Sequence, residues 1–214
     1  MGESTRSLKL LAPKDWRLLR AVRLSALRDS PRAFTSSYAE EGKWDESQWR
    51  QVLETAIWVV ASEAEKVIGL AKSVCDLETS TRHLESVWVA PKHRRCGVFR
   101  ELLHALAERE REMGGLDLQL WVLEDNHVAR QAYEALGFES TGESQPLPAL
   151  GKSEHRLRLR IGNVAAFEVT TFSMQGNNRS SEPDLRPDVE AQEVHDLLRA
   201  ADDLHVSAVL LPVP

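Results

Sequence analysis

Hydrophobic positions change period several times along the chain, and each change marks an element. Leu8 to Leu11 reads as a short first strand. Pro13 suits a helix start, and Trp16, Leu19, Val22, Ala26 and Leu27 then recur at helical spacing. Ser30-Pro31 stops that helix. Asp45-x-x-Gln48 has the form of a capping box before a second helix carrying Trp49 and Val52-Leu53. Ala56–Ala61 and Lys66–Val74 read as a strand pair joined by the polar turn 62–65. A strand over 83–90 follows, then a helix from about Cys96 to Met113, ended by Gly114-Gly115. Leu116, Leu118, Leu120 and Val122 alternate with Asp117, Gln119 and Trp121 as in a strand. A helix runs from about Asn126 to Leu136, and Phe138 begins another strand. Residues 143–153 read as a loop because of Pro146 and Pro148. His155–Ile161 alternates again, with Leu157, Leu159 and Ile161 on one face and three arginines on the other. This order predicts an α/β protein, a central mixed sheet flanked by helices.

After Ile161 the pattern degrades. Residues 173–188 are polar with Gly176, Pro183 and Pro187, as in a linker, and 189–204 has the spacing of an amphipathic helix. Charge divides at the same place. Residues 164–214 hold nine acids and three arginines, which accounts for the whole net charge of −6; the 24 acids and 24 bases of residues 1–163 cancel. Residues 1–163 are therefore expected to form the main domain, and 164–214 an acidic C-terminal extension. A neutral domain argues against nucleic-acid binding. No run of 18 apolar residues suggests a membrane span, and Met1 to Arg6 lacks the apolar core of a signal peptide. Two cysteines and seven scattered histidines offer neither a disulfide framework nor metal-ligand spacing, so no metal and a cytoplasmic location are expected.

Candidate chemistry concentrates between residues 84 and 138. The strand Leu84–Ala90 and Pro91 lead into Lys92-His93-Arg94-Arg95-Cys96-Gly97-Val98, a basic, glycine-containing turn that opens a helix. A helix start offers unpaired N–H groups and a partial positive charge, so such a turn can hold phosphate. Downstream, Asn126-x-x-Ala129-x-x-x-Tyr133-x-x-x-Gly137-Phe138 puts a polar side chain and a phenol on one helix. Read without the second segment, the turn is equally an ordinary loop with surface arginines.

These two segments, in this order, resemble the GNAT N-acetyltransferase superfamily, whose cofactor signature is Gln/Arg-x-x-Gly-x-Gly/Ala after a valine-rich strand. Arg94 and Gly97 match it; Phe99 stands where the family has a small residue. The element order over residues 8–161 agrees with the family, and the tail has no counterpart in its core. The resemblance implies a GNAT-like fold and transfer of an acetyl group from acetyl-CoA to an amine by direct attack in a ternary complex. It assigns the CoA pyrophosphate to the backbone of Arg94, Arg95, Cys96, Gly97 and Val98, and the pantetheine arm to the strand Val87, Trp88, Val89. Phe99 either crowds the phosphates or points into the core.

Tyr133 resembles the family's general acid, which protonates the departing thiolate; the other reading is a core tyrosine. A phenol titrates near ~10 and a thiol near ~8.5, so full transfer would run uphill by about 2 kcal/mol. Asn126 is either a cofactor contact or a helix N-cap. Glu85 is the candidate general base, because an alkylamine with a pKa near ~10.4 is protonated at neutral pH. It shares strand parity with Val87 and Val89, although a surface glutamate explains it as well. His83, two residues earlier, is the weaker candidate. By resemblance the acceptor, a small-molecule or peptide amine, lies against residues 33–49 and 143–153, where Glu40, Glu41, Asp45, Glu46 and Glu143 would attract a cation and Trp44 and Trp49 could line a pocket. A homodimer is left open. The alternative to an enzyme is a non-catalytic acyl-CoA-binding or regulatory module.

Overall fold

The computed structural model describes residues 6–31, 34, 36–148 and 151–162. The expected extension over 164–214, with its linker and helix, lies outside them. Seven strands form one mixed sheet: β1 (Arg6–Leu10), β2 (Ala56–Glu63), β3 (Lys66–Cys75), β4 (Arg82–Val89), β5 (Asp117–Leu123), β6 (Glu139–Leu147) and β7 (Lys152–Arg160). Their order is β1-β2-β3-β4-β5-β7-β6. Only β4 and β5 run parallel to each other; the other neighbours are antiparallel. Helices α1 (Trp16–Asp29), α2 (Tyr38–Glu41) and α3 (Glu46–Thr55) precede β2, α4 (Val98–Glu112) links β4 to β5, and α5 (His127–Ala135) follows β5.

The sheet separates two cores. On one face α4 and α5 bury Phe99, Leu102, Leu106, Ala132 and Tyr133 against Leu84, Val87, Leu118, Leu120 and Leu157. On the other, α1 and α3 bury Leu19, Leu27, Trp49 and Leu53 against Trp58, Val60, Leu70 and Trp88. Gly69 lets α4 close on β3, since a Cβ there would stand 2.7 Å from Val98 Cγ1 and 3.0 Å from Leu102 Cδ1.

Local signals set the helix ends. Asp45 Oδ1 accepts from Gln48 N and Gln48 Oε1 accepts from Asp45 N, both at 3.0 Å, which is the expected capping box. Asn126 Oδ1 accepts from Ala129 N at 3.1 Å, so Asn126 caps α5. One expectation fails. The stretch read as a loop over 143–153 is largely strand: β6 runs through Pro146 and pairs with β7 from Leu147↔Lys152. Proline is tolerated because β6 is the sheet edge, where a missing N–H forfeits no ladder bond.

Candidate active site

The site begins where two strands part. β4 and β5 share one residue pair in register, His83↔Gln119, near the start of both strands. Beyond it the edge of β4 facing β5 has no ladder partner among the described residues. A gap thus opens between residues 85–89 and 120–123. Unpaired strand edges are templates for another extended chain.

β4 changes phase at the mouth of this gap. Leu70 pairs with Trp88 but Lys72 pairs with Glu85, so β4 carries one extra residue between them. Ser86 sits in this bulge at φ +54°, a conformation uncommon for a residue with a side chain. Arg23 holds it there: Nη1 donates to Ser86 Oγ at 3.3 Å, while Nη2 and Nε bind the Glu41 carboxylate at 2.7–3.2 Å. The three side chains are buried and tie α1 and α2 to the bulge.

The phase change alters the expected parity. Leu84, Val87 and Val89 all face the α4 core, and Trp88 faces the α1 core. Glu85 therefore lies on the face opposite Val87 and Val89, beside its register partner Lys72, with Nζ and Oε2 2.9 Å apart. Lys72 Nζ also lies 5.3 Å from the centre of the Trp58 ring. His83 shares that face. Burial pushes its imidazole below the usual range, partly offset by the charge of Glu85, with Arg156 pushing down and Asp76 and Asp117 pushing up. Its Nε2 lies 3.0 Å from Thr81 Oγ1.

At the C-terminal end of β4 the chain turns through Arg94–Gly97 into α4. Arg95 (φ +64°) and Gly97 (φ +81°) take left-handed backbone, and a Cβ on Gly97 would meet nothing within 4 Å. The backbone at the start of α4 is thus open to a close approach, as a pyrophosphate requires. The Arg94 side chain serves the fold instead. Its Nε donates to Val89 O at 3.0 Å and its Nη2 to Asp29 at 2.9 Å, where Trp88 Nε1 also donates at 3.0 Å. Although the turn is basic in sequence, the Arg94 charge is balanced by Asp29. Cys96 is an exposed free thiol whose carbonyl accepts from Arg6 Nη1 at 2.7 Å.

Tyr133 points from α5 into the α4-side core. It is fully buried, with Phe99 at 5.9 Å and Phe138 at 5.3 Å in edge-on contacts. Its Oη has no hydrogen-bond partner among the described residues. Burial pushes the phenol well above its ordinary value. A buried hydroxyl left unbonded is a reason to look for a missing acceptor. Phe99 packs inward on Tyr133, so its ring does not stand over the turn. The unpaired strand edges, the open backbone at Gly97 and the orphan Oη fit a long, phosphorylated thioester laid through the gap.

A sequence-family model for the acetyltransferase (GNAT) family matches residues 24–138, more than half of the chain. The chain belongs to that family. Acetyl-CoA is the family's cosubstrate. The solved structures agree on the fold. A GNAT acetyltransferase from Streptococcus pneumoniae superposes with a TM-score of 0.60 at 21% identity, covering 74% of this chain and 100% of that one. A Salmonella typhimurium protein solved with its cofactor acetyl-CoA gives 0.58 at 19% identity, covering 75% and 96%. An N-acetyltransferase from Thermoplasma acidophilum in complex with coenzyme A gives 0.54 at 15%, covering 73% and 99%. No curated protein matches the sequence.

In this GNAT chain the expected acceptor-side acids are already engaged. Glu41 binds Arg23, the Glu40 carboxylate accepts from Ser37 N in the capping box of α2, Asp45 caps α3, Glu46 binds Arg50 and Glu143 binds Arg156. Glu41, Glu46 and Glu143 are thus balanced by arginines, whereas Glu40 and Asp45 keep their charge at the surface. Trp49 is core, with Trp44 against it at 5.0 Å between ring centres. Sequence reasoning missed Lys72, Arg23 and Ser86, because their partners are fixed by strand register and helix docking rather than by spacing. It noticed the arginines of β7 and assigned them no role.

Proposed function

We propose that this chain is an N-acetyltransferase that moves an acetyl group from acetyl-CoA to a primary amine of a small molecule or peptide, by direct attack in a ternary complex. The parting of β4 from β5 carries this reading, because it leaves a strand edge for the pantetheine arm between the Arg94–Val98 turn and Tyr133. When bound, acetyl-CoA supplies the activated acetyl thioester.

The chain's own residues would do the rest. Backbone N–H groups of Arg94, Arg95, Cys96, Gly97 and Val98 take the pyrophosphate at the start of α4. Backbone groups of Val87, Trp88 and Val89 align the extended arm, while their side chains stay in the two cores. A strand N–H next to the bulge stabilises the acetyl oxygen as it gains charge. Glu85 accepts the proton that the ammonium must lose before it can attack. Tyr133, neutral and held so by burial, donates a hydrogen bond to the departing sulfur. Its raised pKa makes complete proton transfer to a thiolate more uphill, so its role is hydrogen bonding rather than acid catalysis. Asn126 supports this arrangement by capping α5, the helix that carries Tyr133.

Titration of acetyl-CoA into the pure protein by calorimetry tests the reading. Binding in the micromolar range, followed by thiol release with at least one amine from a broad panel, is the expected result. No binding at millimolar ligand would overturn it. Binding without turnover of any amine would leave the non-catalytic acyl-CoA module as the better reading.

A further inference from the structure

One half of the sheet face opposite α4 and α5 carries polar groups in place of a hydrophobic cover. The α1 side of the sheet is apolar over β2 and β3, through Trp58, Val60 and Leu70. Continuing across the strands, the same face presents Lys72, then Glu85 and His83, then Gln119 and Trp121, then Arg158 and Arg156. His83, Gln119 and Arg158 are consecutive register partners on β4, β5 and β7. They form one polar row across the crotch where the β4–β5 gap begins.

This row has unspent hydrogen-bonding capacity. Gln119 is 7% exposed, and its Oε1 has no partner among the described residues. Arg158 Nε is buried and likewise lacks an acceptor. No carboxylate among the described residues forms an ion pair with Arg158. Glu139 stands opposite it in register on β6 without pairing, and Asp117 touches Gln119 Nε2 only weakly, at 3.4 Å. The contrast with Arg156 is sharp. Two residues along the same strand, its Nη1 binds Glu143 at 2.8 Å and its guanidinium stacks 4.6 Å from the Trp121 ring centre. Lys72 is likewise balanced by Glu85. Among the described residues Arg158 is the partly buried cation of this row that has no ion pair; Arg160, at the exposed end of the strand, also has none.

Resting on the acetyltransferase reading, we propose that this row selects an acceptor whose amine is carried on a carboxylate-bearing molecule, as in an amino acid, with Arg158 as the specificity-determining residue. A guanidinium presents a planar fork of donors that matches a carboxylate. The neighbouring Gln119 Oε1 accepts from the substrate's ammonium, and Glu85 lies one strand away to take its proton. A polyamine or other purely cationic acceptor would leave Arg158 uncompensated and meet a like charge.

The test uses the full chain and the twenty L-amino acids, each beside its α-carboxamide. Binding is read by ligand-observed NMR with and without coenzyme A, and turnover by thiol release. At least one acid should bind at least about 10-fold more tightly than its amide. R158Q should weaken that acid by about 10–100-fold, the loss expected for a charge-assisted pair, while leaving acetyl-CoA affinity within twofold. R158K should recover part of the loss, and R160Q, on the exposed end of the strand, should change nothing. Absence of any acid-over-amide preference across the set overturns the proposal, as does an unchanged preference in R158Q. Equal competition by inorganic phosphate overturns it in favour of a phosphate-bearing acceptor. If acetyl-CoA itself fails to bind, the acetyltransferase reading falls, while the acid–amide comparison in the cofactor-free protein is still decided.

Discussion

Lys72 and Glu85 form a 2.9 Å ion pair across β3 and β4, both about nine-tenths buried, on the sheet face opposite Tyr133. The proposed base and the proposed hydrogen-bond donor thus lie on opposite faces of the sheet. In the proposed reaction the base would meet an incoming amine from one face and the phenol the leaving sulfur from the other. E85Q should lower turnover by about 10²–10³-fold with acetyl-CoA affinity unchanged, measured by thiol release and calorimetry. E85A and K72A should each destabilise the fold by about 3–5 kcal/mol in urea, since either leaves a buried charge alone. K72M/E85L should lose less than either. Unchanged turnover in E85Q would hand the base role to His83, which burial keeps neutral near pH 7.

Tyr133→Phe separates catalysis from packing. Removing a buried hydroxyl that has no partner should leave the cofactor-free protein as stable or more stable, by up to about 1–3 kcal/mol. The same change should slow turnover about 10-fold, the worth of a hydrogen bond to the departing sulfur. A destabilised variant with unchanged turnover would make Tyr133 a plain core residue. Because burial raises the phenol's pKa, no Tyr133 titration should appear in rate profiles below pH ~10.

Gly97→Ala asks what the turn is for. The residue adopts φ +81° with open space where a Cβ would project. Strain alone should cost about 1–2 kcal/mol of stability. Acetyl-CoA affinity should fall by more than 10-fold, because the methyl group would occupy the approach of the phosphates. Calorimetry and thermal unfolding of one variant decide whether the two effects separate.

Glu154 gives a pH signature. It is buried on β7, one Oε has no partner, and burial raises its carboxyl above the ordinary value, with the Gln145 hydrogen bond pulling the other way. A raised folded pKa means that stability is present below the unfolded value and lost as pH rises through the folded one. E154Q cannot ionise and should therefore be the more stable protein at pH 7. The gain should be about 1.4 kcal/mol for each unit of elevation and shrink toward zero near pH 4. Urea midpoints at the two pH values measure it.

What was legible in the sequence was what is decided locally. The Asp45 capping box and the glycine before α4 are set within a few residues of themselves and appear as read, and of the two readings of Asn126 the local one, the cap, is present. β6 was hidden because Pro146 breaks a strand everywhere except at an edge, and edge position belongs to the whole sheet. Ser86 was hidden for a similar reason. No glycine marks the bulge, and what holds it is Arg23, 63 positions away in the chain. Glu85 could be nominated as a base from its strand, but its partner and even its face depend on that bulge.

The extra residue at Ser86 shifts the phase of β4: Leu84 and Val87 both turn to α4 although three positions separate them, while Glu85 and Trp88 turn the other way. The distance between Leu84 and Trp88, counted in residues, is therefore part of the active site. A substitution in this stretch changes one side chain and its contacts, with the backbone path kept. A one-residue deletion would instead erase the bulge: plain alternation would keep Val87 and Val89 toward α4 and Trp88 toward α1, but the left-handed turn at Ser86 and its anchor to Arg23 would be lost. What the count of residues protects is thus the bulge rather than the assignment of side chains to layers.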